Sequence, residues 1–231
     1  MAPRAIFYDT ETTGIQPAND RVVEIAAFDP ANGRQFVRLV NPGQPIPPEA
    51  TAIHKITNEM VSEAPSFAEI ADEFTAFCGE EAILVAHNND AFDIHFLRHE
   101  YRRAERELPS WKFVDTLKWA RCYRPDLPRH TLQFLREIYN ITANDAHRAL
   151  DDVIVLHQVY EAMTDDLSIE LVHSMLSKPR ELRTMPFGKH RGQPLAKLPK
   201  EYILWLAGSG ALDKSENSNL KEALTLLGAL S

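Results

Sequence analysis

Residues 8 to 14 read YDTETTG, directly after the apolar run Ala5, Ile6 and Phe7. Asp9 and Glu11 are two apart, so in an extended chain both carboxylates lean from one face into one spot. Like charges held that close repel, an arrangement tolerated where a proton is shared or a divalent cation sits between them. A solvated turn could carry the same two acids with no chemistry at all, so the decision passes to the rest of the chain.

Two later segments add acids. HNNDAFDIHFL, from His87, brings Asp93, and AHRALDD, from Ala146, brings His147, Asp151 and Asp152. At about 100° per residue Asp151 shares a face with His147 if both are helical, whereas Asp152 stands about 140° away. For Asp152 to be the ligand, His147 must sit on a loop or first turn. Each of these residues also has a plain reading: Asp93 as a helix N-terminal charge, His147 as a first-turn surface residue, Asp152 as a solvated helix position.

The elements that must position these residues follow from pattern. Ala5–Phe7 is a strand. Arg21 to Asp29 and Gly33 to Val40 form a hairpin across the turn residues Pro30 to Gly33. A Pro-rich loop covers Asn41 to Glu49. A helix then starts at Ser66, whose spacing to Glu69 is that of a capping box, with Phe67, Ile70, Phe74 and Phe77 as its apolar stripe. Ala82 to Ala86 is a short buried strand running into a helix with Ile94, Leu97 and Tyr101 in period. A strand near Phe113 to Asp115 precedes helices at Thr116 to Cys122 and Thr131 to Tyr139. The last strong helix spans Ala146 to Met163, its stripe being Ala149, Val153, Leu156, Tyr160 and Met163. This order predicts an α/β protein with a mixed sheet flanked by helices, whose sites gather at strand carboxyl ends.

The 231 residues, 44% hydrophobic, suffice for a core. No apolar stretch reaches the ~18–20 residues of a membrane span, and the acids at 9 and 11 break any signal-peptide pattern, so a cytoplasmic protein with no membrane partner is expected. Cys78 and Cys122 have no zinc-like spacing and read as buried thiols. The net charge of −8 is unevenly distributed: residues 178 to 201 carry seven Lys and Arg against Glu181 and Glu201.

DTETTG, HNNDAFD and HRALDD, in this order, resemble the three motifs of the DEDDh 3′ to 5′ exonucleases, which share a ribonuclease H-like fold. IPPEATAIHKITNEMV, residues 46 to 61, is similar to that family's Ile-His-x-Ile-Thr loop. His87 precedes Asp93 by six positions, the H-N-x-x-x-[YF]-D spacing of one branch. PFGKHRGQPLAKLPKEYILWL resembles a C-terminal appendage of the exonuclease X branch. The resemblance implies an exonuclease domain over 1–167, a linker over 168–183 and a small basic module over 184–231.

It further implies two Mg²⁺ or Mn²⁺ ions on Asp9, Glu11, Asp93 and Asp152, and His147 as general base toward the attacking water. Thr12 and Thr13 would face the terminal 3′-OH, Gly14 would admit close approach, and Ile15 would wedge against the last base. His54, Asn88 and Phe92 would line the pocket; Ile15 and Phe92 read equally as core packing. Lys189 and Arg191 would contact phosphate, and Tyr202, Leu204, Trp205 and Leu206 would form a small core or dock a partner protein. The activity implied is release of nucleoside 5′-monophosphates from DNA 3′ ends, single- or double-stranded, in DNA repair. An RNA-trimming enzyme, a polymerase proofreading subunit and an inactive nucleic-acid-binding module are the competing readings, and the oligomeric state stays open.

Overall fold

A computed structural model describes residues 3–142, 149–178, 182–214 and 217–230. It divides into two compact units, Met1–Leu176 and Ser177–Ser231. The first is built on a five-stranded sheet. Strands β1 (Ala5–Thr12), β2 (Val22–Asp29) and β3 (Arg34–Leu39) form an antiparallel meander, and β4 (Ile83–Ala86) and β5 (Lys112–Asp115) add to the other edge of β1 in parallel, giving the order β3-β2-β1-β4-β5. The sheet is mixed for the expected reason: a four-residue turn can only reverse the chain, while helical crossovers return it in the same direction.

Two short helices, α1 (Pro48–His54) and α2 (Asn58–Val61), precede α3 (Phe67–Cys78), which begins at Ser66 with the capping box in place. The Pro-rich segment was expected to be loop through Glu49. Instead Pro48 takes the first helical position, where its missing N–H costs nothing, and Ala50 packs with Val23, Ile46, Ile56 and Val61. Then come α4 (Asp93–Arg103), α5 (Thr116–Tyr123), α6 (Leu132–Ile138), α7 (Ala149–Thr164) and α8 (Ile169–Ser177). The expected start of the last helix at Ala146 lies outside the described residues.

The pleat of β1 decides what each helix layer meets. Ile6 and Tyr8 pack with Phe67, Ile70 and Phe74 of α3 and with Phe96, Leu97 and Tyr101 of α4; Phe7 packs on the opposite face with Trp119 of α5 and Ala149, Val153, Leu156 and Tyr160 of α7. Each fully buried Ile, Leu, Val or Phe side chain here is worth about 1.5–3 kcal/mol. Period 2 therefore puts Asp9 and Glu11 on the α7 side and Thr10 on the α4 side.

Residues 168–183, expected as linker, contain α8, which packs Ile169, Val172, Met175 and Leu176 onto the α7 side of the sheet. Their spacing is that of an amphipathic helix, and burying that stripe outweighs the freedom of a linker.

The second unit has its own core of Met185, Leu195, Leu198, Tyr202, Ile203, Leu206, Leu212, Leu220 and Leu224, built around α9 (Lys200–Gly208) and α10 (Ser218–Leu226). Tyr202 and Leu206 belong to it, whereas Leu204 and Trp205 are 69% and 60% exposed, so only two of the four residues expected as core are core. No helix among the described residues is long and apolar enough to cross a membrane.

Candidate active site

One carboxylate oxygen from each of Asp9, Glu11 and Asp152 lies within 4.8 Å of the others. The first two come from the α7 face of β1, and Asp152 descends to them from the first turn of α7, whose stripe is pinned to the sheet by Ala149, Val153 and Leu156. Gln133 Nε2 donates to Asp152 Oδ1 at 3.2 Å. Burial pushes the Asp9 carboxyl well above the usual range, and Asp93, Glu11, Asp152 and Glu24 push it further.

Asp93 arrives from the other side of the sheet. It opens α4, is 2% exposed, and its Oδ1 accepts the Thr10 hydroxyl at 2.7 Å. Asp93 therefore stands outside the three-carboxylate set while remaining, after burial, the largest influence on Asp9. Burial raises its own pKa, opposed by the Thr10 hydrogen bond.

The turn that delivers Asp93 is fixed by residues that motif spacing did not single out. Asp115, 5% exposed, accepts from the backbone N–H of Asn88 and Asp90, both at 3.0 Å, and caps α5 through Leu117 and Lys118. Asn88 can then hold a left-handed φ of 70°, which asparagine tolerates. Tyr8 donates its hydroxyl to the buried Asn89. Asp115 at a strand end before a helix was the available signal, since Asp is a favoured N-cap. Phe92, half-buried, packs on Phe96 at 4.9 Å and against the α4-side core.

Glu24 is the other such residue. It pairs with Glu11 across β1 and β2, is 1% exposed, and its Oε2 accepts the backbone N–H of Ala149 at 3.0 Å. It therefore ties the start of α7 to the sheet at the cluster's edge. His147 lies outside the described residues, two positions before Ala149.

The loop after Glu11 is braced internally. Thr12 donates to the Gly14 carbonyl at 2.6 Å. Thr13 Oγ1 accepts from Arg21 N and Gln44 Nε2, both at 3.0 Å, so that hydroxyl is occupied within the fold. Asp20 accepts from Gln16 N at 2.7 Å and sits so close to Gly14 that a Cβ there would overlap its carboxylate. Gly14 is thus required by Asp20. The brace leaves Ile15 80% exposed, which rules out the core-packing alternative for it.

His54 is 2% exposed at the end of α1, its Nδ1 accepting Ile56 N at 3.0 Å. That bond places the proton of the neutral ring on Nε2. Nε2 is buried, with only the Thr12 backbone carbonyl in weak reach and no hydrogen bond of full geometry among the described residues, and burial lowers the ring's pKa, which favours the neutral form. His87 is held neutral by burial as well, at about 4, with Nδ1 against the Thr116 hydroxyl at 2.9 Å. Lys189 and Arg191 are both exposed in the second unit.

Oxygen donors converging at this density suit a hard divalent cation such as Mg²⁺ or Mn²⁺, whose charge would offset the burial and the repulsion that raise the Asp9 pKa. The residues present fit such an ion.

A family model described as Exonuclease, RNase_T, matches residues 6–160. A second model, described as "Putative quorum-sensing-regulated virulence factor", matches residues 180–222. Among curated relatives, exonuclease DPD1, chloroplastic/mitochondrial, of Arabidopsis thaliana is 38% identical over 183 residues, covering 72% of this chain and 58% of that protein. DNA polymerase III subunit epsilon of Treponema pallidum is 38% identical over 161 residues, covering 68% of this chain and 74% of the relative. In fold, the chain is similar to exonuclease X in complex with 5′ overhanging duplex DNA, with a TM-score of 0.60 at 24% identity over 75% of this chain and 99% of that one. It is also similar to Escherichia coli exonuclease I in complex with a dA16 oligonucleotide, at TM-score 0.64 and 22% identity over 78% and 44%.

Proposed function

This chain belongs to the RNase_T exonuclease family, and from that membership we propose that it removes nucleotides one at a time from DNA 3′ ends, releasing nucleoside 5′-monophosphates, in DNA repair. The observation that carries the reading is the carboxylate set of Asp9, Glu11 and Asp152 within 4.8 Å, with Asp93 presented beside it by Thr10. Asp9, Glu11, Asp93 and Asp152 would hold two Mg²⁺ or Mn²⁺ ions, which supply Lewis-acid polarisation of the scissile phosphate and charge compensation for the departing 3′ oxygen.

The protein's own groups do the rest. A water attacks the terminal phosphorus, the bond to O3′ of the preceding nucleotide breaks, and His147 takes the water's proton as general base. Asp115 and Thr10 hold Asp93 at its post, and Glu24 and Gln133 hold the start of α7 and Asp152. The buried Nε2–H of His54, held only weakly by the Thr12 carbonyl, would donate to an oxygen of the terminal nucleotide. Ile15, exposed on a braced loop, would pack on the last base, and Thr12 and Gly14 would offer backbone groups to the 3′-OH. Asn88 would face the same terminus from its left-handed turn.

The kinship to polymerase III epsilon favours a proofreading role as the second reading. The test is degradation of end-labelled DNA and RNA, each single- and double-stranded, with Mg²⁺ and then with EDTA. DNA repair chemistry requires metal-dependent shortening of DNA in preference to RNA; selective action on a mismatched primer terminus would favour proofreading, and selective trimming of RNA would reject DNA as the substrate.

A further inference from the structure

The second unit presents an aromatic face. In α9 the Tyr202 ring lies stacked against Trp205, with centroids 5.7 Å apart and planes 19° from parallel. Tyr202 is buried and Trp205 is 60% exposed, so one member of the pair is anchored in the core and the other is offered to solvent. Tyr202 is fixed from behind: the His190 ring sits 4.4 Å away, and Gly188, at φ +71°, lies so close that a Cβ would come within 2.7 Å of the Tyr202 hydroxyl. These residues line one open pocket together with Lys189, whose Nζ is 5.4 Å from the Tyr202 ring, and with Glu201 at its rim.

An exposed indole on a rigid support wants a flat, polarisable partner, and the charge around it selects which one. Residues 177–231 contain nine Lys and Arg against five Asp and Glu, a net +4, while residues 1–176 contain 16 against 28, a net −12. Lys189, Arg191, Lys197 and Lys200 are all exposed on the same unit. Flat π surface combined with regularly spaced negative charge describes a single-stranded nucleic acid, whose bases stack on aromatic side chains while its phosphates meet cations. An acidic peptide would satisfy the cations alone and leave the indole uncovered.

We propose that Trp205, backed by Tyr202, is a stacking platform for a nucleobase of single-stranded DNA or RNA whose phosphates are met by Lys189 and Arg191. It is a second nucleic-acid site on the chain, formed entirely within residues 177–231. It deepens, and rests on, the reading that the chain works on nucleic acid.

The test uses the full chain in EDTA, so that nothing is cleaved, with a short fluorescein-labelled oligothymidylate read by anisotropy. Trp205→Ala should weaken binding roughly 5- to 150-fold, the loss expected for one stacked base. Trp205→Leu, which keeps an apolar side chain at an exposed position, should lose as much, and Trp205→Phe should retain most of the affinity. An abasic strand of equal length should bind wild type and Trp205→Ala alike. Equal binding of oligothymidylate by wild type and Trp205→Ala overturns the proposal, as does an equal loss on the abasic strand. A change confined to self-association in sedimentation overturns it too, since the face would then cover a second copy. Hydrolysis of the p-nitrophenyl ester of thymidine 5′-monophosphate with Mg²⁺ reads the carboxylate site by itself. If that fails in wild type while the Trp205 dependence holds, the nuclease reading falls and this one stands.

Discussion

Asp9→Asn removes one negative charge from the carboxylate cluster while keeping its shape and one acceptor oxygen. Two unit charges 4.8 Å apart, the outer limit for this set, repel by about 3–4 kcal/mol at an effective dielectric of 20. Part of that is already relieved in the metal-free protein because the raised pKa of Asp9 lets the cluster hold a proton. The substitution should therefore stabilise the metal-free chain by about 1–2 kcal/mol, or roughly 2–8 °C in melting temperature for a protein this size. The sign with pH follows from linkage. The folded state keeps the Asp9 proton at pH values where the unfolded chain has lost it, so wild-type stability is greater at mildly acidic pH and falls as pH rises through the raised pKa. Thermal melts in EDTA between about pH 5 and 9 should show that decline in wild type and a flatter profile in Asp9→Asn. Added Mg²⁺ should raise the wild-type melting temperature and barely move the variant's. A variant less stable than wild type in EDTA, or a wild-type profile flat across that range, would refute the electrostatic account of the site.

His147→Ala should leave oligonucleotide binding intact and slow the chemical step by roughly 10²- to 10⁴-fold in single-turnover assays, with partial recovery at high pH. Glu24→Ala leaves the Ala149 N–H buried without its acceptor at a cost of about 1–3 kcal/mol and should lower kcat more than it raises KM; Glu24→Gln, which keeps an acceptor oxygen, should recover much of the rate. Gly14→Ala forces the Asp20 carboxylate off Gln16 N, and should raise KM through a displaced Ile15 while costing about 1–2 kcal/mol in thermal stability.

Much of this arrangement was legible because local chemistry and tertiary demand agree. The capping box at Ser66 and Glu69, the turn at Pro30–Gly33 and the stripe of α7 each combine a local signal with a buried face. What escaped was set by contacts distant in sequence. The pairing of Glu11 with Glu24 depends on the β1–β2 register, and the capture of Asn88 by Asp115 spans 27 residues. Period 2 puts Thr10 and Asp9 on opposite faces of β1, but which acid each meets depends on which helix covers which face, and α4 delivers Asp93 to the Thr10 side while α7 delivers Asp152 to the other. The helix at Ile169–Ser177 has a readable period, but it abuts the change of composition that reads as a linker. Trp205 shows the reverse error: an aromatic in a helical run reads as core, yet its exposure depends on which face of α9 the small unit buries.

The central claim is that four acids and two divalent ions make a hydrolytic site that works from a 3′ end. A single-stranded DNA labelled at its 5′ end, incubated with the full chain and Mg²⁺, should give a ladder of fragments shortened one nucleotide at a time from the 3′ side. The ladder should vanish with EDTA and with Asp152→Ala, a variant that still binds the strand. Internal fragments without a ladder, cleavage that survives EDTA, or an Asp152→Ala protein as active as wild type would contradict it.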